Sequence, residues 1–185
     1  VCALFGIPAP ALCSAPAHEE VLAEAGRVFA GRRLERCLVH AVDAVGHQLT
    51  ARFPDLVAGI RRCAPLRVPL RSVSPSMTPV CYASMFTGAG PEAHGIRQYE
   101  KPVLACDTLF DVVVRAGGRV AIVAVADSSI DRIFRGRAVD YYAEKYDPWV
   151  TERVVGLMAE DRHDLVVAYH QEYDDVMHGT DPWNP

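Results

Sequence analysis

The amino-acid sequence predicts an α/β fold: three layers, helix–sheet–helix, around a mostly parallel sheet. Three observations lead there. Short apolar, β-rich runs recur at 36–42, 119–126 and 164–170. Segments with helical spacing of apolar residues lie between them. The runs are apolar throughout rather than alternating, as expected of strands covered on both faces.

Taken in order, "HEEVLAEAGRVFAGRR" (18–33) has helical spacing, and "RCLVHAV" (36–42) is the first strand. "HQLTARFPDLVAGIRRC" (47–63) reads as helix that Pro54 kinks or splits. "LRVPLRSV" (66–73) is a second strand candidate, pushed towards an edge or shortened by Pro69. "PVCYASMFTG" (79–88) is a helix with Pro79 in its first turn and Gly88 at its end. "DTLFDVVVRAGG" (107–118) is a helix capped by Asp107, and "RVAIVAVA" (119–126) is the clearest buried strand. "DPWVTERVVGLMAEDR" (147–162) is a helix capped by Asp147, and "DLVVAYH" (164–170) is the last strand. Residues 1–17 form an N-terminal segment, and 18–185 are expected to make one domain.

Composition excludes several classes. Half of the 185 residues are apolar and 23% are charged, which suits a globular core. The net charge of −4 comes from interspersed acids and bases, so no basic face is expected for a nucleic-acid polymer. No apolar run is long enough to span a bilayer. The six cysteines include no C-x-x-C pair, and Cys37 opens an apolar run as a buried thiol would. A reducing, cytoplasmic compartment is the expectation. Secretion is the alternative, because "VCALFGIPAPALCSAPA" has the hydrophobicity of a signal-peptide core without its basic start.

Right-handed crossovers point the predicted strands the same way, so their C-terminal ends share one edge, where open α/β sheets bind ligands. Asp43 follows the first strand, Thr78 follows the 66–73 candidate, and Asp174 and His178 follow the last strand. These oxygen and nitrogen donors suit zinc or manganese. Each has a plainer reading: Asp43 and Thr78 as helix caps, Asp174 and Asp175 as turn acids, His178 as a solvated imidazole. A hydroxyl at a helix N-terminus also sits where backbone N–H groups favour an anion, and a cation beside it would make it a nucleophile for phosphoryl transfer.

The segment "TPVCYASMFTGAGPEAHGI" (78–96), with "VDAVG" (42–46) and "DDVMHG" (174–179), resembles the alkaline phosphatase superfamily, type I phosphodiesterase/nucleotide pyrophosphatase branch. The resemblance implies an alkaline-phosphatase-like fold and a hydrolase using two divalent metal ions, zinc or manganese. Carried over by residue, it assigns Asp43 and Thr78 to one metal and Asp174 and His178 to the other. Thr78 would be the nucleophile, passing through a phospho-enzyme that water hydrolyses. The implied partner is a small phosphorylated substrate. His94 and Gly95 match a recurring pair that is read as structural.

The sequence also departs from that pattern. The branch commonly has Asn three residues after the nucleophile, as a donor to a phosphate oxygen. Cys81 stands there, a poor donor but the matching substrate-binding position. Met177 replaces the Gly before His178. The family's later Asp-His pair and further His have no counterpart before Pro185, so the chain is expected to be part of a longer one, with a degenerate site as the alternative. Segment 97–106 is read as lining the entrance, with Lys101 a candidate anion contact or a plain surface lysine. "CAPLR" (63–67) fits a sulfatase signature, but counting back nine from Thr87 lands on Thr78, so the match is read as chance. Three functions stay in play: a metal-dependent phosphodiesterase or phosphatase, a non-catalytic metal- or phosphate-binding module, and a phosphonate hydrolase or phosphomutase.

Overall fold

The computed structural model describes residues 1–180. The chain runs α1 (Cys2–Phe5), α2 (Glu19–Phe29), β1 (Cys37–Val42), α3 (His47–Arg52), a 3-10 turn (Pro54–Val57), α4 (Ala58–Cys63), α5 (Thr78–Thr87) and α6 (Pro91–His94). It continues through α7 (Leu109–Arg115), β2 (Val120–Val125), α8 (Ser129–Ile133), β3 (Asp140–Glu144), α9 (Asp147–Glu160), β4 (Leu165–His170) and α10 (Glu172–Gly179). All four strands are parallel, in the order β1-β4-β2-β3. The predicted α/β class, a parallel sheet flanked by helices, is the one observed.

The sheet sorts its side chains by the two-residue period of a strand. Val120, Ile122 and Ala124 of β2, with Leu165, Val167 and Tyr169 of β4, face a core under α5, α7 and α8. Ala121, Val123, Val125, Val166 and Ala168 face the other way, against Val150, Val154 and Leu157 of α9. That double burial explains why β2 and β4 read as unbroken apolar runs. Phe86, Phe110 and Phe134 meet pairwise at centroid distances of 4.8 to 5.4 Å in the first core. Each fully buried Phe contributes roughly 1.5–3 kcal/mol of transfer free energy.

The N-terminal segment is tied to this core. Cys2 and Ile7 pack against it, and the Ala11 N–H donates to Asp107 Oδ2 at 3.0 Å. Ser14 and Ala15 both donate their N–H groups to the Gly88 carbonyl. Gly88 ends α5 at φ 68°, and a Cβ there would stand 2.3 Å from Cys13 Sγ. Glycine is therefore required twice, by backbone conformation and by space.

Several expectations are corrected. Residues 66–73 form no strand. Pro65 and Pro69 lack N–H donors, Leu70 is 78% exposed, and the segment joins no sheet edge. A fourth strand exists instead at β3, hidden by its polar ends and its edge position. Pro54 splits 47–63 into α3, a 3-10 turn and α4. The cap of α7 is Thr108, not Asp107, and it forms a reciprocal box with Asp111. Asp107 instead binds Arg115 through two contacts, at 2.7 and 2.8 Å. Residue 146, not Asp147, caps α9. All six cysteines are free thiols. Among the described residues, no helix is long and apolar enough to cross a membrane.

Candidate active site at the carboxyl edge of the sheet

β1 and β4 lie side by side in register, Val42 opposite His170. The pairing continues one residue further, where the Asp43 N–H donates to the His170 carbonyl at 2.9 Å. Asp43 thus leaves the sheet beside the point where β4 turns into α10. Its Oδ1 accepts the N–H of Ala44 at 3.0 Å, and Ala44 turns the chain at φ 60°. The next helix is capped by Gly46, so Asp43 is not a helix cap.

Thr78 reaches the same carboxylate. It is the first helical residue of α5, after Met77 at the N-cap. Its hydroxyl donates to Asp43 Oδ2 at 3.1 Å rather than capping its own helix. Both residues are half-buried. The structure therefore joins two of the residues singled out from sequence and withdraws the capping reading of each. Cys81 lies one turn along α5, where burial, and then the Asp43 charge, raises its thiol pKa. Tyr82 is buried, and its phenol is raised well above the ordinary range by burial first and then by Asp43.

The stretch 172–179 is a helix, so its acids are not turn acids. Carboxylates in a first turn suit the positive end of the helix dipole. Asp175 is used structurally: it accepts the Tyr146 hydroxyl at 2.7 Å and the Gln171 amide. That contact pushes the Tyr146 phenol up to about 12. Asp174 points to different chemistry. Burial raises its pKa first, and the negative charge of Asp43 raises it further. A carboxylate whose ionisation a neighbouring negative charge opposes is one that a cation would relieve.

His178 is not brought to Asp43 or Thr78. Its Nε2 stands 3.4 Å from Asp174 Oδ2, one helical turn back, and the side chain is 80% exposed. Among the described residues, no group of three or more His, Cys, Asp or Glu side chains is assembled as a metal site. The donors fit a divalent cation in kind: Thr78 contacts Asp43 directly, Asp174 feels the Asp43 charge from α10, and His178 lies beside Asp174 in solvent. Lys101 donates to the Asp127 carbonyl at 2.8 Å and lies over the Tyr99 ring, an anchor at the end of β2. His94 is buried, bonded through Nε2 to Ser84 Oγ and through Nδ1 to the Ile96 N–H.

Sequence reasoning missed two contributors. Tyr169 donates its hydroxyl to Asp43 Oδ2 at 2.6 Å. The signal was present, since Leu165, Val167 and Tyr169 share one strand face, but a buried tyrosine reads as core. Asp147 accepts the N–H groups of Gln171 and Glu172 at 2.8 and 3.1 Å. It caps α10 from another element, which no local pattern reveals.

With the parallel sheet and the contact between Thr78 and Asp43 described, the chain can be set beside known proteins. Residues 37–104, which include Asp43, Thr78, Cys81 and Lys101, match the family described as type I phosphodiesterase / nucleotide pyrophosphatase. Among solved structures, the chain is similar to phosphonoacetate hydrolase from Sinorhizobium meliloti 1021 in complex with phosphonoacetate. The TM-score is 0.60 at 22% identity, covering 84% of this chain and 51% of that one. The same enzyme in complex with phosphonoformate gives a TM-score of 0.55 at 22% identity, covering 76% and 48%. The chain thus spans about half the length of these solved chains, and at this identity the likeness is one of fold. No curated protein matches the chain. The resemblance to the alkaline phosphatase superfamily rests on sequence over 37–104 and on fold over most of the chain.

Proposed function

We propose that this chain carries the nucleophile half of a metal-dependent phosphoric ester hydrolase, with Thr78 as nucleophile. The supporting observation is the contact between the Thr78 hydroxyl and Asp43 Oδ2 at the head of α5. Asp43, Thr78 and Asp174 would hold divalent cations, zinc or manganese, with His178 joining by a rotation of its exposed side chain. Such a cation supplies Lewis-acid charge that lowers the hydroxyl pKa and neutralises phosphate oxygens.

The chain's own groups do the rest. Asp43 Oδ2 accepts the Thr78 hydroxyl hydrogen and orients the oxygen lone pairs. Thr78 Oγ attacks phosphorus as its proton passes to solvent, an Oγ–P bond forms, and the opposite P–O bond breaks as the alcohol leaves with a proton from solvent. Water then attacks phosphorus, a new P–O bond forms as the Oγ–P bond breaks, and a water proton passes to Oγ to restore the Thr78 hydroxyl. The positive end of α5 lies where the phosphoryl oxygens would rest. Cys81 would line that pocket, and Lys101, anchored on Asp127, would contribute charge at its rim.

The phosphonates bound in the similar structures, phosphonoacetate in one and phosphonoformate in the other, favour a second reading, with a P–C bond broken in place of P–O. Turnover of bis(4-nitrophenyl) phosphate and of phosphonoacetate, with manganese or zinc added, tests both. Thr78→Ala should lower the faster of the two by about a thousandfold or more. Metal binding without turnover of either substrate would favour the binding-module reading instead.

A further inference from the structure

We propose that Tyr169 is a positioning residue that aims the Asp43 carboxylate, holding it in place when Thr78 turns to its substrate. The proposal rests on the metal-hydrolase reading for its consequence, but its geometry stands on its own. Tyr169 lies in β4 opposite Ala41, two residues before Asp43. Its ring is 2% exposed and meets the Tyr82 ring edge-on at 5.4 Å. A ring packed so tightly has one place to put its hydroxyl, and that place is Asp43 Oδ2.

Three donors converge on the carboxylate. Ala44 N–H takes Oδ1, while Thr78 and Tyr169 share Oδ2. They are not equivalent. Thr78 must give up its hydrogen and redirect its oxygen in any reaction at phosphorus, which leaves Oδ2 with one protein donor, Tyr169. A carboxylate oxygen can only accept, so across this contact the Tyr169 O–H is the donor. A donor bound behind a metal-binding carboxylate fixes its orientation, and losing such a partner typically weakens metal affinity by about 10–100-fold.

The plainer alternative is that Asp43 merely satisfies a buried phenol, which would move stability alone. Y169F separates the two by calorimetric titration with manganese and by NMR couplings across the Asp43 χ1 bond in metal-free protein. Positioning predicts a manganese Kd weakened about tenfold or more, and an Asp43 side chain that is one rotamer in the wild type and averaged in the variant. Wild-type affinity with a single retained rotamer in Y169F overturns the proposal. If the wild type itself takes up no manganese, the hydrolase reading falls and the Asp43 rotamer alone decides the positioning role. Should Y169F fail to fold, 3-fluorotyrosine at position 169 keeps the volume and acidifies the phenol. A changed manganese Kd or Asp43 coupling then supports the role, and unchanged values refute it.

Discussion

Thr78 and Asp43 are 35 positions apart in sequence, and the hydroxyl of one donates to the carboxylate of the other across 3.1 Å. The contact joins the head of a helix to the end of an edge strand, so it exists only in the folded protein. Removing the hydroxyl while keeping its volume should separate chemistry from folding. Thr78→Val should leave the melting temperature within a few degrees, since one half-exposed hydrogen bond contributes about 1 kcal/mol. Thr78→Ser should retain turnover that Thr78→Val abolishes. Thermal melts and phosphodiester turnover, run side by side, check both.

Asp174 sets a pH dependence with a definite sign. Burial and then Asp43 raise its folded pKa above the ordinary 3.8. A raised carboxyl binds its proton more tightly when folded, so its contribution is present at acid pH and lost as pH rises through the folded value. Metal-free protein should therefore lose stability over that rise, and Asp174→Asn should flatten the loss and melt higher at neutral pH. A lower melting temperature for the variant, without metal at neutral pH, would contradict the assignment.

Asp147 caps α10 through two backbone N–H groups. Asp147→Ala should cost about 1 kcal/mol, the usual range for a lost cap. Amide exchange over 172–179 should speed up selectively, because the cap serves that helix rather than α9. Uniform acceleration across the sheet would point to global destabilisation instead.

Cys81 occupies the position where the resembled family commonly carries Asn. Its thiol, raised by burial and by Asp43, stays protonated and is a weak donor. Cys81→Asn should lower KM for a phosphodiester severalfold while changing kcat less. An unchanged KM would remove residue 81 from substrate binding.

How much of this could be read in the sequence depends on where each signal resides. β1, β2 and β4 were legible because burial on one or both faces writes itself into apolar runs. α5 was legible from Pro79 and Gly88. β3 was not, because Asp140 and Glu144 frame an edge strand whose two tyrosines are only half-buried. The 66–73 segment carries strand-forming residues but also prolines that deny it ladder hydrogen bonds. At the site, Asp43 emerged from strand-end reasoning because topology alone brings strand ends together. Thr78 was reached from a 66–73 strand that does not form, and is placed by the head of α5. Tyr169 and Asp147 did not emerge, since their roles depend on a ring direction and on a cap supplied from 24 residues away. His178 fits the sequence pattern, yet its side chain faces solvent beside Asp174.

The proposed hydrolase requires a cation site built on Asp43. Calorimetric titration of manganese into the wild type and Asp43→Asn measures it directly. Saturable binding in the wild type that Asp43→Asn reduces at least about tenfold is the predicted result. Equal binding by both proteins, or none by the wild type, would contradict it.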